Sequence, residues 1–293
     1  MVVPVKFDLD EYTSFLDATH SFDEEMMHKY LDSHLDDLGF PILIHNVDML
    51  NQEDFADSRS RTFGASDSAV LLEVAYHSAK VPMKTINELI FEKVNKIWDE
   101  EIGKKASVRK GRELEPMLID KVSERINGAV LKPKHTYWNG TALATNFDGV
   151  VFENVVKDAE SPTATFVPVP MEIKVCSFFG RSNYSWDLGI KDADPYFEAK
   201  ISKELRYPEV RTTDLVEYIR TKAKQIGIPP YYYTQVQQQM LFLGANHGYL
   251  AVMDDINWDM YYFRVPRDEE VIKALVARSE EYAEELTKYD DQI

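Results

Sequence analysis

Asn146-Phe147-Asp148-Gly149 and, after a gap, Met171-Glu172-Ile173-Lys174-Val175 are the stretches from which the fold is read. An Asp-Gly pair closes one apolar run. A Glu-x-Lys sits inside another, with apolar residues beside each charge. In a strand, residues i and i+2 project to the same face, so Glu172 and Lys174 point together while Ile173 points into a core. Charges seldom stand mid-strand among apolar neighbours without a partner. Asp148 on an adjacent strand supplies one, and two carboxylates and an ammonium then meet at one spot. A hard cation such as Mg²⁺ takes oxygen ligands from one or two carboxylates and keeps several waters. A lysine beside it can orient a water or take its proton. An isolated Glu-x-Lys more often reads as a surface ion pair, so the rest of the chain decides.

The chain has 293 residues, enough for one large domain or a domain with an extension. Its 44% hydrophobic share supports a packed core. No apolar run approaches the ~20 residues of a membrane span. The N-terminus lacks the basic, long-apolar pattern of a signal peptide. The single Cys176 excludes an intramolecular disulfide and any multi-cysteine metal site. These features predict a cytoplasmic protein.

A net charge of −17 argues against a polyanionic partner until its distribution is read. Residues 1–58 hold 14 Asp/Glu and 2 Lys/Arg, a net of −12. The other 235 residues carry only −5. Local basic surface is available at Lys104, Lys105, Arg109, Lys110 and Arg112, at Lys132 and Lys134, and at Lys222 and Lys224.

Along the chain, 8–37 read as one or two acidic helices, and Pro41–Ile44 as a short strand. Residues 1–55 form an acidic helical N-terminal extension packed on a main domain of 56–293. Gly64-Ala65-Ser66-Asp67 looks like a loop entering a helix, with Ser66 or Asp67 as N-cap. Thr85 to Trp98 shows Ile86, Leu89, Ile90, Val94 and Ile97 at helical spacing. A further helix carries Leu114, Leu118, Val122 and Ile126. Pro116 belongs in a first turn, which puts Glu115 near the helix N-terminus and predicts an end at Asn127-Gly128. Residues 129–138 and 141–152 read as a hairpin about Asn139-Gly140. A polar loop over 153–166 leads to the strand at 167–175. The aromatic-rich 177–230 segment shows one helix, around Asp214–Gln225. A helix over Tyr231–Leu243, strands at Tyr249–Met253 and Tyr261–Val265, and an acidic helix over 268–288 complete the chain.

Four further pieces fall in an order that carries a resemblance. They are Arg59 seven residues before Ser66, Gly111-Arg112-Glu113-Leu114-Glu115-Pro116, the Asp148-Gly149 and Glu172-Ile173-Lys174 pair, and Tyr232-Tyr233-Thr234-Gln235-Val236-Gln237. Together they resemble the lambda-exonuclease/YqaJ branch of the PD-(D/E)xK nucleases, the viral recombination exonucleases, over about residues 56–265. The resemblance implies an α/β (α+β) fold with a restriction-endonuclease-like core, a central mixed β-sheet flanked by helices. It implies a Mg²⁺-dependent DNA exonuclease acting on linear double-stranded DNA, with Mn²⁺ as a substitute ion. Asp148, Glu172 and the main-chain carbonyl of Ile173 would bind metal. Glu115 would support a second metal or its water, and Lys174 with Gln235 would position the attacking water. Arg59, Ser66 and Gln237 would contact DNA phosphate. Double-stranded DNA ends, a single-strand annealing protein and a ring-like trimer of the chain itself are the implied partners, with no membrane.

Each piece also has a plain physical reading. Glu115 near a helix N-terminus would offset the helix dipole. Gln235 offers both donor and acceptor groups. Arg59 can grip phosphate bidentately, and a helix N-terminus at Ser66 would add free N–H groups. The sequence departs from the family pattern at Phe147, where a proline is usual, in the 24-residue step from Asp148 to Glu172, and at Val175-Cys176. Cys176 reads as a packed thiol. No motif is placed within 177–230 or 1–55. A structure-specific or RecB/Cas4-like endonuclease is the alternative enzyme, though no cysteine cluster for an iron–sulfur site exists. A catalytically silent DNA-binding module is the alternative outside that class.

Overall fold

A computed structural model describes residues 5–6, 24–38, 59–75, 84–97, 106–126, 129–133, 136–138, 141–154 and 165–287. The expected hairpin is present but broken. β3 (Tyr137–Trp138) pairs antiparallel with β4 (Ala144–Thr145) as a small sheet of its own. Further from the turn, β2 (Ala129–Leu131) pairs with β5 (Gly149–Asn154) in the main sheet. The register slips by one residue between the two pairings. Asn146 bridges the break, donating to Thr136 Oγ1 at 2.8 Å.

The main sheet has seven strands, ordered β2-β5-β6-β8-β9-β7, with β1 (Val5–Lys6) added at the start of β6. β6 (Thr165–Cys176) is antiparallel to β5 and parallel to β8 (His247–Asp254), which pairs antiparallel with β9 (Met260–Pro266). β7 (Ile190–Lys191) closes the far edge. The sheet is therefore mixed. Its parallel step spans residues 177–246, which include the helix that packs most closely on β6 and β8.

Alternation along the strands sends side chains to two separate cores. Val151, Val169, Met171 and Ile173 pack with Leu118 and Val122 of α4 (Ala106–Arg125) and with Ile126 just after it. Val150, Phe152, Leu250, Val252 and Phe263 pack on the other face with Val236, Met240 and Leu243 of α7 (Pro230–Leu243). α7 comes so close to β8 that a Cβ on Gly248 would lie 2.7 Å from Val236, so only glycine fits there. Leu31 and Leu35 of α1 (Glu24–Asp37) are completely buried in this second core.

The remaining elements are α2 (Ser68–Leu71), α3 (Ile86–Val94), α5 (Phe197–Ile201), α6 (Leu215–Ile226) and α8 (Glu269–Thr287). α6 begins where the Asp214 carboxylate accepts from the Val216 and Glu217 amides. It ends at Gly227, whose φ of 90° suits a residue without Cβ. Among the described residues, no helix is long and apolar enough to cross a membrane.

Four expectations need correction. α4 starts at Ala106, so Pro116 lies inside the helix and Glu115 is not near its N-terminus. Pro116 is exposed, so the carbonyl freed by its missing N–H can be hydrated. α3 stops at Val94, and Ile97 is 48% exposed rather than part of the buried stripe. Neither Ser66 nor Asp67 caps a helix with its side chain: a 3₁₀ turn, Ala65–Asp67, runs into the single turn of α2. Ser66 is exposed there. Residues 8–23, Pro41–Ile44, Asn127-Gly128, Asn139-Gly140 and most of the 153–166 loop lie outside the described residues.

Candidate active site

β5 ends one residue after Asp148, counting back along the strand, and the edge of β6 beyond Met171 is left without a strand partner on that side. Asp148 fills the gap with its side chain: Oδ2 accepts from the Ile173 amide at 3.0 Å. In an extended strand a residue's N–H and C=O leave by the same edge, so the Ile173 carbonyl also faces Asp148. Glu172 and Lys174 rise from the opposite sheet face to Ile173, under α7. The carboxylate of Glu172 is 1% exposed. Its Oε1 is contacted by the Lys174 ammonium and accepts from Gln235 Nε2 at 2.6 Å. Its Oε2 accepts from Gln239 Nε2, also at 2.6 Å. Lys174 Nζ further lies 3.4 Å from Asp148 Oδ2 and 5.6 Å from the Tyr232 ring centroid.

Two carboxylates thus share one ammonium. Burial pushes the Glu172 carboxyl up to about 7, and Asp148 adds to the rise while Lys174 and Gln239 oppose it. Lys174 is held well above the ordinary lysine range: burial opposes its charge, but Asp148, Glu172 and Tyr232 outweigh it. The corner is one positive charge short of neutral.

These residues suit a hard cation. No group of three or more His, Cys, Asp or Glu that could hold a metal occurs among the described residues. Mg²⁺, however, is commonly held by one or two carboxylates plus waters. Asp148, Glu172 and the Ile173 carbonyl offer such oxygens on one strand edge. Gln239 Oε1 is buried without a hydrogen-bond partner beside Glu172, an acceptor suited to a bound water.

Glu115 lies on the side of α4 that meets β2, where its carboxylate binds Lys132 at 2.5 Å. Gln237 departs from its expected role. Gln237 is fully buried. It donates to the Pro266 carbonyl at 2.9 Å and accepts from the Asp268 amide at 2.8 Å, so both ends of its amide tie α7 to the start of α8. A residue two places from Gln235 on a helix faces the other way, whereas Gln239, four places on, shares its face. The i, i+4 relation is thus the signal by which Gln239 was legible. Gln235 itself grips Glu172 and not Lys174. Of the anticipated basic surface, Lys110 pairs with Asp255 at 3.1 Å, Lys132 with Glu115, and Lys222 lies 5.4 Å from the Tyr218 ring. Lys104, Lys105 and Lys134 lie outside the described residues.

A second charged corner lies in the 59–67 loop. The loop is fixed to the hairpin through Phe63, whose amide donates to the Ala142 carbonyl at 2.7 Å and whose carbonyl accepts from Ala144 at 3.0 Å. Arg59 and Ser66 do meet: Arg59 Nη2 donates to Ser66 Oγ at 3.3 Å. Asp67 and Lys93, neither anticipated as site residues, lie behind them at 2.7 Å from each other. Ser68 links this loop to α7 through Thr234, at 2.9 Å.

A mixed sheet that brings Asp148 beside a Glu-x-Lys at the end of an interrupted strand is the architecture of the PD-(D/E)xK nucleases. Residues 54–246 match the YqaJ-like viral recombinase domain, and the chain belongs to that family of recombination exonucleases. The alkaline exonuclease LHK-Exo of Laribacter hongkongensis, in a crystal structure with dAMP, is 15% identical with a TM-score of 0.50, covering 82% of this chain and 95% of its own. It supports the restriction-endonuclease-like fold. A second structure of that protein gives a TM-score of 0.43 at 15% identity over 82% and 99% of the two chains. A phage-related exonuclease from Haemophilus somnus 129PT gives 0.40 at 13% identity over 81% and 97%. No protein of curated function matches the sequence.

Proposed function

We propose that the protein is a divalent-metal-dependent exonuclease that degrades linear double-stranded DNA from its ends, with Mg²⁺ as the working ion. The observation that carries this reading is the placement of Lys174 between Asp148 and Glu172 on the open edge of β6. Family membership supports exonucleolytic DNA cleavage. Asp148, Glu172 and the Ile173 carbonyl would hold the cation. When bound, such an ion polarises the phosphoryl oxygen and lowers the pKa of a coordinated water.

The side chains do the rest. Lys174 gives up part of its contact with Glu172 and orients the attacking water by hydrogen bonding. The Tyr232 ring keeps its ammonium beside the carboxylates. Gln235 and Gln239 hold Glu172 in one rotamer from the same helix face, so the carboxylate is already aimed before the ion arrives. Arg59 and Ser66 take a terminal phosphate of the duplex, which favours ends over continuous strands.

The test compares linear and closed circular duplex DNA with Mg²⁺, then with a chelator, then with Mg²⁺ or Mn²⁺ restored. Acid-soluble nucleotides should appear from linear DNA alone, stop on chelation and resume with either ion. Nicking of the circle would favour the endonuclease reading. Binding without cleavage of either form would leave a silent DNA-binding module.

A further inference from the structure

Lys93 has no place in the chemistry described so far, yet it is one of the most deeply buried charges in the chain, at 2% exposure. It sits on α3, among Ile86, Leu89 and Ile90, where a charge is costly unless compensated. Its ammonium lies 2.7 Å from Asp67 Oδ2 and donates to the Arg59 carbonyl at 3.1 Å, so it ties the two ends of the 59–67 loop together. Asp67 Oδ2 also accepts from the Gly64 amide at 2.9 Å. That leaves Oδ1, which is 3.9 Å from Arg59 Nη2. Such a separation is beyond hydrogen-bond length. A carboxylate and a guanidinium this close would ordinarily close into a two-oxygen fork. They do not, because Lys93 and Gly64 already use one oxygen.

We propose that Lys93 is a positioning residue for end recognition: it neutralises Asp67 and so keeps that carboxylate from competing with DNA phosphate for Arg59. The proposal rests on the reading of Arg59 and Ser66 as the terminal-phosphate corner. Asp67 is the natural rival of phosphate, being an anion within reach of the same guanidinium. With Lys93 in place, Asp67 offers Arg59 only a long contact, so that carboxylate opposes phosphate weakly. Without it, Asp67 turns both oxygens to Arg59, and phosphate must break a charge-assisted fork. The charge states agree. Burial would raise the Asp67 carboxyl, but Lys93 and Arg59 together hold it below the usual range, so it is an anion at neutral pH. Burial lowers Lys93, with Asp67 pushing back.

The experiment measures initial rates on linear duplex carrying 5′-phosphate or 5′-hydroxyl ends, for the wild type, R59A, K93M, D67N and K93M/D67N. The readout is the ratio of kcat/KM on the two substrates, which a general loss of folded protein does not move. The wild type should prefer the phosphorylated end, and R59A should remove the preference. K93M should lower the ratio by about tenfold, through KM on the phosphorylated end, as expected for one charge-assisted contact. The double variant should recover the wild-type ratio, because the rival anion is gone. D67N alone should keep or raise it, and this variant decides the matter should K93M fail to fold. A preference that survives K93M, or a double variant as poor as K93M, would overturn the proposal alone. A wild type and R59A that treat both ends equally would overturn the phosphate corner and the role of Lys93 with it.

Discussion

Glu172 and Asp67 are both buried carboxylates beside a lysine ammonium, yet their acidities move in opposite directions. Glu172 is pushed up to about 7, while Asp67 is held below the ordinary carboxylate range. Burial raises both, so burial is not the difference. The count of neighbours is. Around Glu172 there is a second carboxylate, Asp148, and one cation. Around Asp67 there are two cations, Lys93 and Arg59, and no second acid among the contributing groups. One corner lacks positive charge and is suited to a metal ion. In the other, two cations act on one carboxylate, the arrangement on which the proposed phosphate corner rests. Two carboxylates to one cation, against one carboxylate to two cations, is thus the difference on which the proposed metal and phosphate roles rest.

The largest effects should come from altering the first proportion. Asp148→Asn and Glu172→Gln should each reduce cleavage by about 10³-fold or more, since each removes a ligand of the proposed ion. Thermal midpoints without metal should not fall, because one of two facing carboxylates has lost its charge. Lys174→Met should keep divalent-ion binding but lose about 10²- to 10⁴-fold in kcat, the scale of a positioned proton-transfer or water-orienting group. Cleavage rates with circular dichroism and metal titration check all three. Undiminished cleavage by Glu172→Gln would remove the first corner from the mechanism.

Acid should break the second corner. A carboxyl whose folded pKa is depressed contributes stability that is present above the unfolded value, about 3.9, and lost as pH falls through the folded value. Asp67 is such a group, faced by Lys93 from α3 and Arg59 from its own loop, with Lys84 acting on Lys93. At neutral pH, Asp67→Asn should cost about 3 kcal/mol, the scale for removing one partner of a buried pair. As pH falls below the ordinary carboxylate value and through the depressed folded value, the denaturant midpoints of wild type and variant should converge. Curves that stay parallel from pH 6 to 2 would show that the Asp67 charge does not hold the loop.

Much of this was legible in the sequence, for a physical reason. Strand period two placed Glu172 and Lys174 together, and helix spacing placed α3, α6, α7 and α8 to within a few residues. What failed depended on partners. Pro116 reads as a helix start, but its exposed ring lets it stand inside α4, so Glu115 is not at a helix N-terminus and pairs with Lys132. Lys93 reads as one more polar residue on an amphipathic helix. Only the loop from Arg59 to Asp67, folded beneath Phe63, makes it a buried counter-ion. Nothing local to residue 93 announces a partner 26 positions away.

The glutamine run Gln237-Gln238-Gln239 gives the smallest effect on activity and the sharpest distinction. Three identical side chains stand in sequence, all fully buried, and each goes to a different task. Gln238 donates to the carbonyls of Phe63 and Ala144, at 3.0 and 2.9 Å, and so holds the 59–67 loop to the hairpin. Gln239 holds Glu172, and Gln237 joins α7 to α8. Gln237→Leu breaks two hydrogen bonds and leaves the Asp268 amide and the Pro266 carbonyl buried without those partners. The expected cost is about 2–4 kcal/mol of stability, from one to two newly unsatisfied groups. Because neither bond reaches Glu172 or Arg59, kcat per folded molecule and the 5′-end preference should stay at wild-type values. Gln239→Leu should do the reverse, costing kcat through a loosened Glu172 while removing one hydrogen bond to a carboxylate that can take up a proton instead. Denaturant midpoints and cleavage rates measured on both variants separate the two roles. A Gln237→Leu protein that folds stably but has lost phosphate preference would return Gln237 to the DNA-binding set.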